Sequence, residues 1–299
     1  PAIAITDHGV MYGVIEFYKA AQEAGIKPII GCEFYITEDH KDKQNKEMDH
    51  ITLLAKDTAG YKNLIKLNSI AFIDGFYYKP RIDFELLKKH SGGLVCLSGC
   101  LAGTVPKMLL KGDYNSAKNI ALKYKNLFDE GDYYIELQDH GLKEQKYINP
   151  LLCKIAEEIG VKIVATNDVH YINKQDSEMQ DVLLCIQTGK TLDDENRMKF
   201  QSDQFYLKNY DEMLRIFPDK EQALENTLEI ADKCNVEIQF KMPLIPNYVP
   251  QGGKTPKQFL RELVYEGLPK RYENITEEIK ERVEYELGII DSMGFNEYF

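Results

Sequence analysis

Val161-Lys-Ile-Val-Ala-Thr-Asn-Asp-Val-His-Tyr171 is the stretch on which the fold turns. A short apolar run rich in β-branched residues reads as a buried strand, and this one ends in polar residues that could not sit inside a sheet without partners. Function is expected at its C-terminal end. Asp168 and His170 lie two positions apart, so an extended chain would project both from one face toward a single point. An Asp-x-His pair alone is more often a surface turn than half of a metal site. The chain, however, repeats the arrangement.

Ala2 to Ile5 is a short apolar strand running into Thr6-Asp7-His8-Gly9, and Val10 to Ala24 follows with apolar residues at helical spacing. Gly25 closes that helix. Lys27 to Ile36 is a second strand carrying Glu33, a charged hairpin or loop spans Thr37 to Asp49, and His50 to Ala55 is a third strand served by a helix from Tyr61 to Ile73. Gly75-Phe-Tyr-Tyr-Lys-Pro-Arg-Ile-Asp83 reads as a loop in which aromatics with Lys79 and Arg81 could grip a phosphate or stack a base, or simply form an exposed turn around Pro80. Gly93 to Cys100 is a fourth strand, with Cys96, Ser98 and Cys100 on one face. Asp132 to Gly141 is a fifth, ending at His140, and helices follow at Ser116 to Phe128 and Tyr147 to Ile159.

Successive strand-to-helix units predict a parallel α/β arrangement with right-handed crossovers. Polar tips on nearly every strand favour a closed (β/α) barrel over an open sheet with a single crevice. After Tyr171 helices dominate. Pro243, Pro246, Pro250, Gly252 and Gly253 mark a boundary, Thr255-Pro256 restarts a helix, and Thr276 to Met293 forms another. We divide the chain into residues 1–246 and a linker with the start of a further domain over 247–299.

The 43% apolar and 28% charged content is that of an ordinary globular protein, and 299 residues can bury a sizeable core. A net charge of −11 argues against holding nucleic acid by nonspecific attraction alone. With no long apolar run and no signal-peptide pattern, a cytoplasmic location without a membrane partner is expected. The six cysteines show no zinc-finger spacing and are expected as reduced thiols. Both ends look cut: the chain starts inside a strand without Met and stops on apolar residues.

The strand tips gather Asp7, His8, Glu33, Cys100, His140, Asp168 and His170, with His50 at the head of its strand. Imidazole, carboxylate and thiolate together suit zinc or manganese better than calcium or magnesium, and more than four such groups would suggest more than one ion. Clustered ions suit a chemistry that clamps a phosphoryl oxygen and acidifies a bound water. Blander roles exist for each residue. His8 could cap a helix, Glu33 could be an exposed alternate of a half-buried strand, Cys100 could be a small buried apolar residue, and His50 lies at the wrong end of a parallel strand. His140 could orient substrate or end a strand. His40 and His90 sit in Lys-rich loops and are expected to be solvated.

Thr6-Asp-His-Gly-Val10, Gly31-Cys-Glu-x-Tyr35, His50-Ile-Thr-Leu-Leu-Ala-Lys56, Gly60-Tyr-Lys-Asn-Leu64, Leu97-Ser-Gly-Cys100 and Ala165-Thr-Asn-Asp-Val-His170 resemble the polymerase and histidinol phosphatase (PHP) domain of bacterial replicative DNA polymerase III alpha subunits. Phe205-Tyr-Leu-Lys208, Glu229-Ile-Ala-Asp-Lys-Cys-Asn235 and Tyr285 to Phe295 extend the resemblance toward the palm. It implies a distorted seven-stranded (β/α) barrel with up to three zinc or manganese ions, and it places His8, Glu33, His50, Cys100, Asp168 and His170 on ligand positions. The family's first strand, with its His-x-His pair and a following Asp, is absent from this sequence, as are the polymerase carboxylates.

The resemblance implies phosphoester hydrolysis and 3′–5′ exonuclease proofreading within a DNA-directed DNA polymerase that uses magnesium for polymerisation. It implies DNA, a sliding clamp, a clamp loader and a separate proofreading exonuclease as partners. A scaffold that docks the exonuclease without activity of its own, and a stand-alone histidinol-phosphatase-like enzyme, are the competing functions.

Overall fold

The computed structural model describes residues 2–240 and 247–299, which form two compact units, Pro1–Ile238 and Gln239–Phe299. The larger opens with β1 (Ala2–Ile5), α1 (Val14–Glu23) and the long β2 (Lys27–Thr37), which runs parallel to β1. Only residues 38–48, without a helix, separate β2 from β3 (Asp49–Ala55). A parallel return needs a crossover of about a dozen residues or more, so β3 comes back antiparallel, with Tyr35 opposite His50 and Glu33 opposite Thr52.

The chain continues through α2 (Thr58–Ile73), β4 (Arg81–Asp83), α3 (Phe84–Lys89), β5 (Leu94–Leu97), α4 (Thr104–Leu110), α5 (Tyr114–Lys125), β6 (Tyr133–Leu137), α6 (Lys143–Ile159) and β7 (Lys162–Ala165). The helices α7 (Ser177–Thr188), α8 (Tyr210–Ile216) and α9 (Glu221–Lys233) follow. Strand order is β1-β2-β3-β5-β6-β7, with β4 paired to β2. The sheet curls into a half barrel with helices around it, an α/β fold consistent with the distorted barrel expected from the sequence.

Two sequence expectations need correcting. The sheet is mixed, because β3 is antiparallel to β5 as well as to β2. The stretch from 75 to 83 is only partly a loop, since β4 pairs in parallel with the end of β2.

Side-chain alternation decides which face does what. Ile30, Cys32, Phe34, Ile51, Leu53, Leu94, Cys96, Tyr133 and Ile135 point to the helix layer and join the main core. The opposite, inward face is apolar at its base, where Ile29, Leu54, Val95, Leu97, Tyr134 and Val164 pack against Ile230 and Ala231 of α9 and Cys234 just past it. Burial of that lower half leaves the inward alternates nearer the other end, Glu33, Thr52 and Glu136, as buried polar groups. The candidate site lies at that end.

In the smaller unit, α10 (Pro256–Arg271) starts from a Thr255–Gln258 capping box and α11 (Glu277–Ser292) from the Thr276 cap. The two are linked by a forked Arg261–Glu284 pair and by Lys257–Asp291. The boundary read from Pro243 and Pro246 falls on residues outside the described ones. Among the described residues no helix is long and apolar enough to cross a membrane.

Candidate metal centre

His8 lies just past β1, in a turn held by Gly9 in the left-handed region at φ +65°, whose N–H donates to the Glu33 carbonyl at 2.8 Å. A side chain at Gly9 would meet Pro80 and Tyr35 at 2.9 Å, so only glycine lets the turn approach β2 this closely. Glu33 is an inward alternate of β2, not an exposed one. Its Oε1 is 2.6 Å from His8 Nδ1 and 2.7 Å from His50 Nδ1.

His50 reaches that carboxylate because β3 runs backwards: the head of an antiparallel strand stands beside the tail of its neighbour. Its position at the wrong end of a parallel strand is thereby resolved. His50 N–H donates to the Ala102 carbonyl at 3.0 Å, and Gly99, at φ +89°, packs against the His50 carbonyl. Those contacts bring Cys100 Sγ to 3.5 Å from His50 Nδ1.

β7 stops at Ala165, so Asp168 and His170 are not alternates of an extended strand. The chain turns through Asp168 at φ +44°, a conformation unusual for a non-glycine residue, and His170 N–H donates to the Phe205 carbonyl at 2.9 Å. The turn still delivers His170 to the cluster. Its Nδ1 lies 2.9 Å from the Asp168 carbonyl and 3.8 Å from Asp168 Oδ1, and its Nε2 is 3.4 Å from His8 Nε2.

Hydrogen bonding fixes the tautomers. His8 donates from Nδ1 to the Glu33 carboxylate, and His170 donates from Nδ1 to the Asp168 carbonyl, so in the neutral form of each ring the unshared pair is on Nε2. Two such lone pairs 3.4 Å apart repel unless a proton or a cation lies between them. Ligand atoms of His8, Glu33 and His50 also lie within 4.8 Å of one another. The donor set of imidazole, carboxylate and neighbouring thiol therefore fits a divalent cation of the zinc or manganese kind.

The electrostatics agree. Burial alone would raise the Glu33 carboxyl, but hydrogen bonds from His50 and His8 outweigh it and bring it down to about 2. The Glu33 hydrogen bond raises His8 in return, against its own desolvation. Burial, with Glu33 nearby, raises Asp168, and burial pushes the Cys100 thiol up. These groups crowd negative charge into a poorly solvated place, which a cation would relieve.

Arg81 and His140 are placed differently from the substrate-facing roles expected of them. Arg81 is 0% exposed. Its guanidinium donates to the carbonyls of Gly75, Asn45, His40 and Asp42, clamping the 38–48 loop to β4. Such a guanidinium has no face for a phosphate. His140 is buried, with Nδ1 2.8 Å from Gln145 Nε2, Nε2 2.8 Å from the Asn167 carbonyl, and its ring stacked on Phe205 at 4.0 Å. Both nitrogens are engaged, so the ring supports the Asp168 turn from behind. His40 is also not solvated, since it pairs with Asp83, the cap of α3.

Sequence reading missed Glu136. Its Oε2 accepts from Gly99 N–H at 3.1 Å and its Oε1 from Thr166 Oγ1 and Gln138 Nε2, so it ties the Cys100 turn to the Asp168 turn. The available signal was an acidic residue in the middle of Tyr133-Tyr-Ile-Glu-Leu137, a strand buried at every position. Lys208 was missed as well; it is buried and bonds Asn167 Oδ1 at 3.1 Å.

Comparison with known proteins matches residues 1–140 to the PHP domain and residues 258–299 to the bacterial DNA polymerase III alpha NTPase domain. The DNA polymerase III subunit alpha of Borreliella burgdorferi is 46% identical over 304 residues, covering 99% of this chain and 26% of that protein. Residues 1–140 of this chain are a PHP domain, and along almost its whole length the chain is similar to bacterial DNA polymerase III alpha subunits. The Deinococcus radiodurans subunit is 45% identical over 91% of this chain and 21% of its own length, and that of Thermus aquaticus 42% over 98% and 25%. This PHP chain thus spans about a quarter of the length of the curated relatives it matches. The matched PHP span includes His8, Glu33, His50 and Cys100, while Asp168 and His170 come from the sequence beyond it.

Proposed function

We propose that this chain is the PHP part of a replicative DNA-directed DNA polymerase, and that its His8, Glu33, His50, Cys100, Asp168 and His170 hold zinc or manganese for hydrolysis of phosphoesters at the 3′ end of DNA. The observation that carries the reading is the approach of the Nε2 atoms of His8 and His170 to 3.4 Å, beside a carboxylate shared by two imidazoles. A divalent metal held there supplies Lewis acidity toward a phosphoryl oxygen and acidifies water.

The chain's own residues prepare the place. Glu33 fixes the His8 tautomer and the Asp168 carbonyl fixes that of His170, so both rings present Nε2 without rearrangement. Desolvation of Glu33 and Asp168 strengthens their attraction for a cation. Lys79, close enough to oppose the rise of His8, offers positive charge to a phosphate at the rim. In the intact protein the family supports DNA, a sliding clamp, a clamp loader and a proofreading exonuclease as partners, magnesium for polymerisation, and a cytoplasmic location.

The test is release of 3′-terminal nucleotides from labelled single-stranded DNA by the intact polymerase with manganese or zinc. The reading expects release that chelator abolishes and that Asp168→Asn lowers by about 100-fold or more. Metal uptake without any nucleotide release would leave only a structural site.

A further inference from the structure

Beside the cluster lies an aromatic face that the core does not use. Tyr12, four residues after His8, is 78% exposed, Phe76 50% and Tyr78 62%. Tyr12 and Phe72 have ring centroids 6.3 Å apart, Phe72 and Phe76 6.0 Å, and Tyr77 meets Tyr78 edge-on at 4.7 Å. Tyr78 sits in the left-handed region at φ +61°, held by Tyr77 N–H donating to the Lys79 carbonyl at 3.1 Å. A bulky residue in that region is strained. The strained backbone turns the ring toward solvent, whereas burial would have been the cheaper place for it.

One lysine stands over a ring of this set and a second over the buried Tyr35. Lys46 Nζ lies 4.5 Å from the Tyr78 ring centre and Lys79 Nζ 5.5 Å from that of Tyr35. Neither makes an ion pair among the described residues. The Tyr35 ring in turn stacks beside His8 at 6.5 Å and meets His50 edge-on at 5.2 Å. The Tyr78–Lys79 end of these rings is thereby joined to the metal centre, through Tyr35 and through Pro80, which a Cβ on Gly9 would meet, while Tyr12 stands four residues from His8. On a chain of net charge −11, exposed rings interleaved with unpaired cations are the chemistry of a surface for single strands, where bases stack and phosphates find lysines.

We propose that Tyr12, Phe72, Phe76 and Tyr78, with Lys46 and Lys79, form a stacking platform that leads a single-stranded nucleic acid to the His8–Glu33–His50 end of the site. The platform rests on the reading of that site as a phosphoesterase of DNA ends and names the path its substrate takes. An apolar segment of another protein would use the rings but leave the two lysines without a role.

The test is fluorescence anisotropy of a labelled oligothymidylate with the purified chain, at 50 mM salt and with chelator so that nothing is cleaved. The triple variant Tyr12→Ala/Phe76→Ala/Tyr78→Ala should weaken binding about tenfold or more, and the matching Phe76→Tyr/Tyr78→Phe variant should retain it. Lys46→Ala/Lys79→Ala should flatten the salt dependence by about 0.7 in log–log slope for each lysine. Thermal melting of each variant establishes that it is folded. No binding by the unaltered chain, or equal binding by the folded triple variant, overturns the proposal and leaves the rings to a protein partner. Because no metal is present, stacking that persists in a polymerase without nuclease activity would sink the phosphoesterase reading alone. Loss of stacking with nuclease activity intact would sink this one alone.

Discussion

His8 and His170, 162 positions apart in sequence, face each other with their Nε2 atoms 3.4 Å apart, and each ring's other nitrogen is already committed to a hydrogen bond. The juxtaposition predicts how metal and protons compete. Glu33 raises the His8 pKa, so a metal entering the site displaces a proton that His8 holds more firmly than an ordinary histidine. Affinity for zinc or manganese should fall as pH drops through and below this raised value. His170→Ala should lower affinity at neutral pH by at least about tenfold. Isothermal titration at pH 6 and pH 8 in two buffers of different ionisation heat checks both the proton release and the loss. Equal affinity at the two pH values would show that His8 is not a ligand.

Arg81 is predicted to matter for stability. Replacing it with alanine leaves the carbonyls of Gly75, Asn45, His40 and Asp42 without their donor, the first of them in a buried place and the others in part-buried ones, and opens the space of a fully buried side chain. The cost should be about 3 kcal/mol, and Arg81→Lys should recover only part of it because an ammonium cannot span the fork. Urea unfolding followed by circular dichroism measures this. A loss below about 1 kcal/mol would mean that the 38–48 loop holds its shape without the clamp.

The same residue shows where sequence reading runs out. The strands were legible because apolar β-branched runs such as Lys162–Ala165 differ from anything a helix needs, and the polar tips were legible as chemistry. The direction of β3 was not drawn from the sequence, although its short helix-free connection held the clue. That error placed His50 at the wrong end. His140 was misplaced because its letter does not show that both ring nitrogens are engaged, and Arg81 because composition gives the same letter to a cation facing solvent and to one buried against carbonyls. Only the register of β4 on β2 separates the two cases. Glu136 was lost in a run read for its apolar content.

Gly60 and Gly93 make a second stability prediction. A Cβ on Gly60 would fall 1.9 Å from the Gly93 carbonyl oxygen, where the first turn of α2 crosses the approach to β5, and Gly93 itself holds φ +72°. Backbone stands on both sides, so no side chain can move aside. Gly60→Ala should destabilise the larger unit by about 3 kcal/mol or more, far beyond the usual effect of alanine in a helix, which favours it. A variant that melts within a few degrees of the unaltered chain would mean that α2 can shift outward at little cost.

Glu136 gives the prediction with the most definite sign. Desolvation in the barrel interior raises its carboxyl to about 7, aided by the charges of Asp168 and Glu33 and opposed by the Thr166 hydrogen bond. In the unfolded chain the same group titrates near 4.5. Between these two values the folded protein holds a proton that the unfolded chain has released, so stability falls as pH rises from about 4.5 to about 7 and levels off above. The whole swing is on the order of 3 kcal/mol. Glu136→Gln keeps the shape but cannot ionise, so its stability relative to the unaltered chain should improve by about that amount between pH 5 and pH 8. Urea unfolding of both proteins at the two pH values, with chelator throughout, reads the difference. A cation in the neighbouring cluster would draw the carboxyl down again, so adding zinc should shrink the swing in the unaltered chain and leave the glutamine variant where it was. A difference that is constant with pH would mean that Glu136 is already ionised when buried, with its hydrogen bonds to Gly99, Thr166 and Gln138 sufficient to hold the charge.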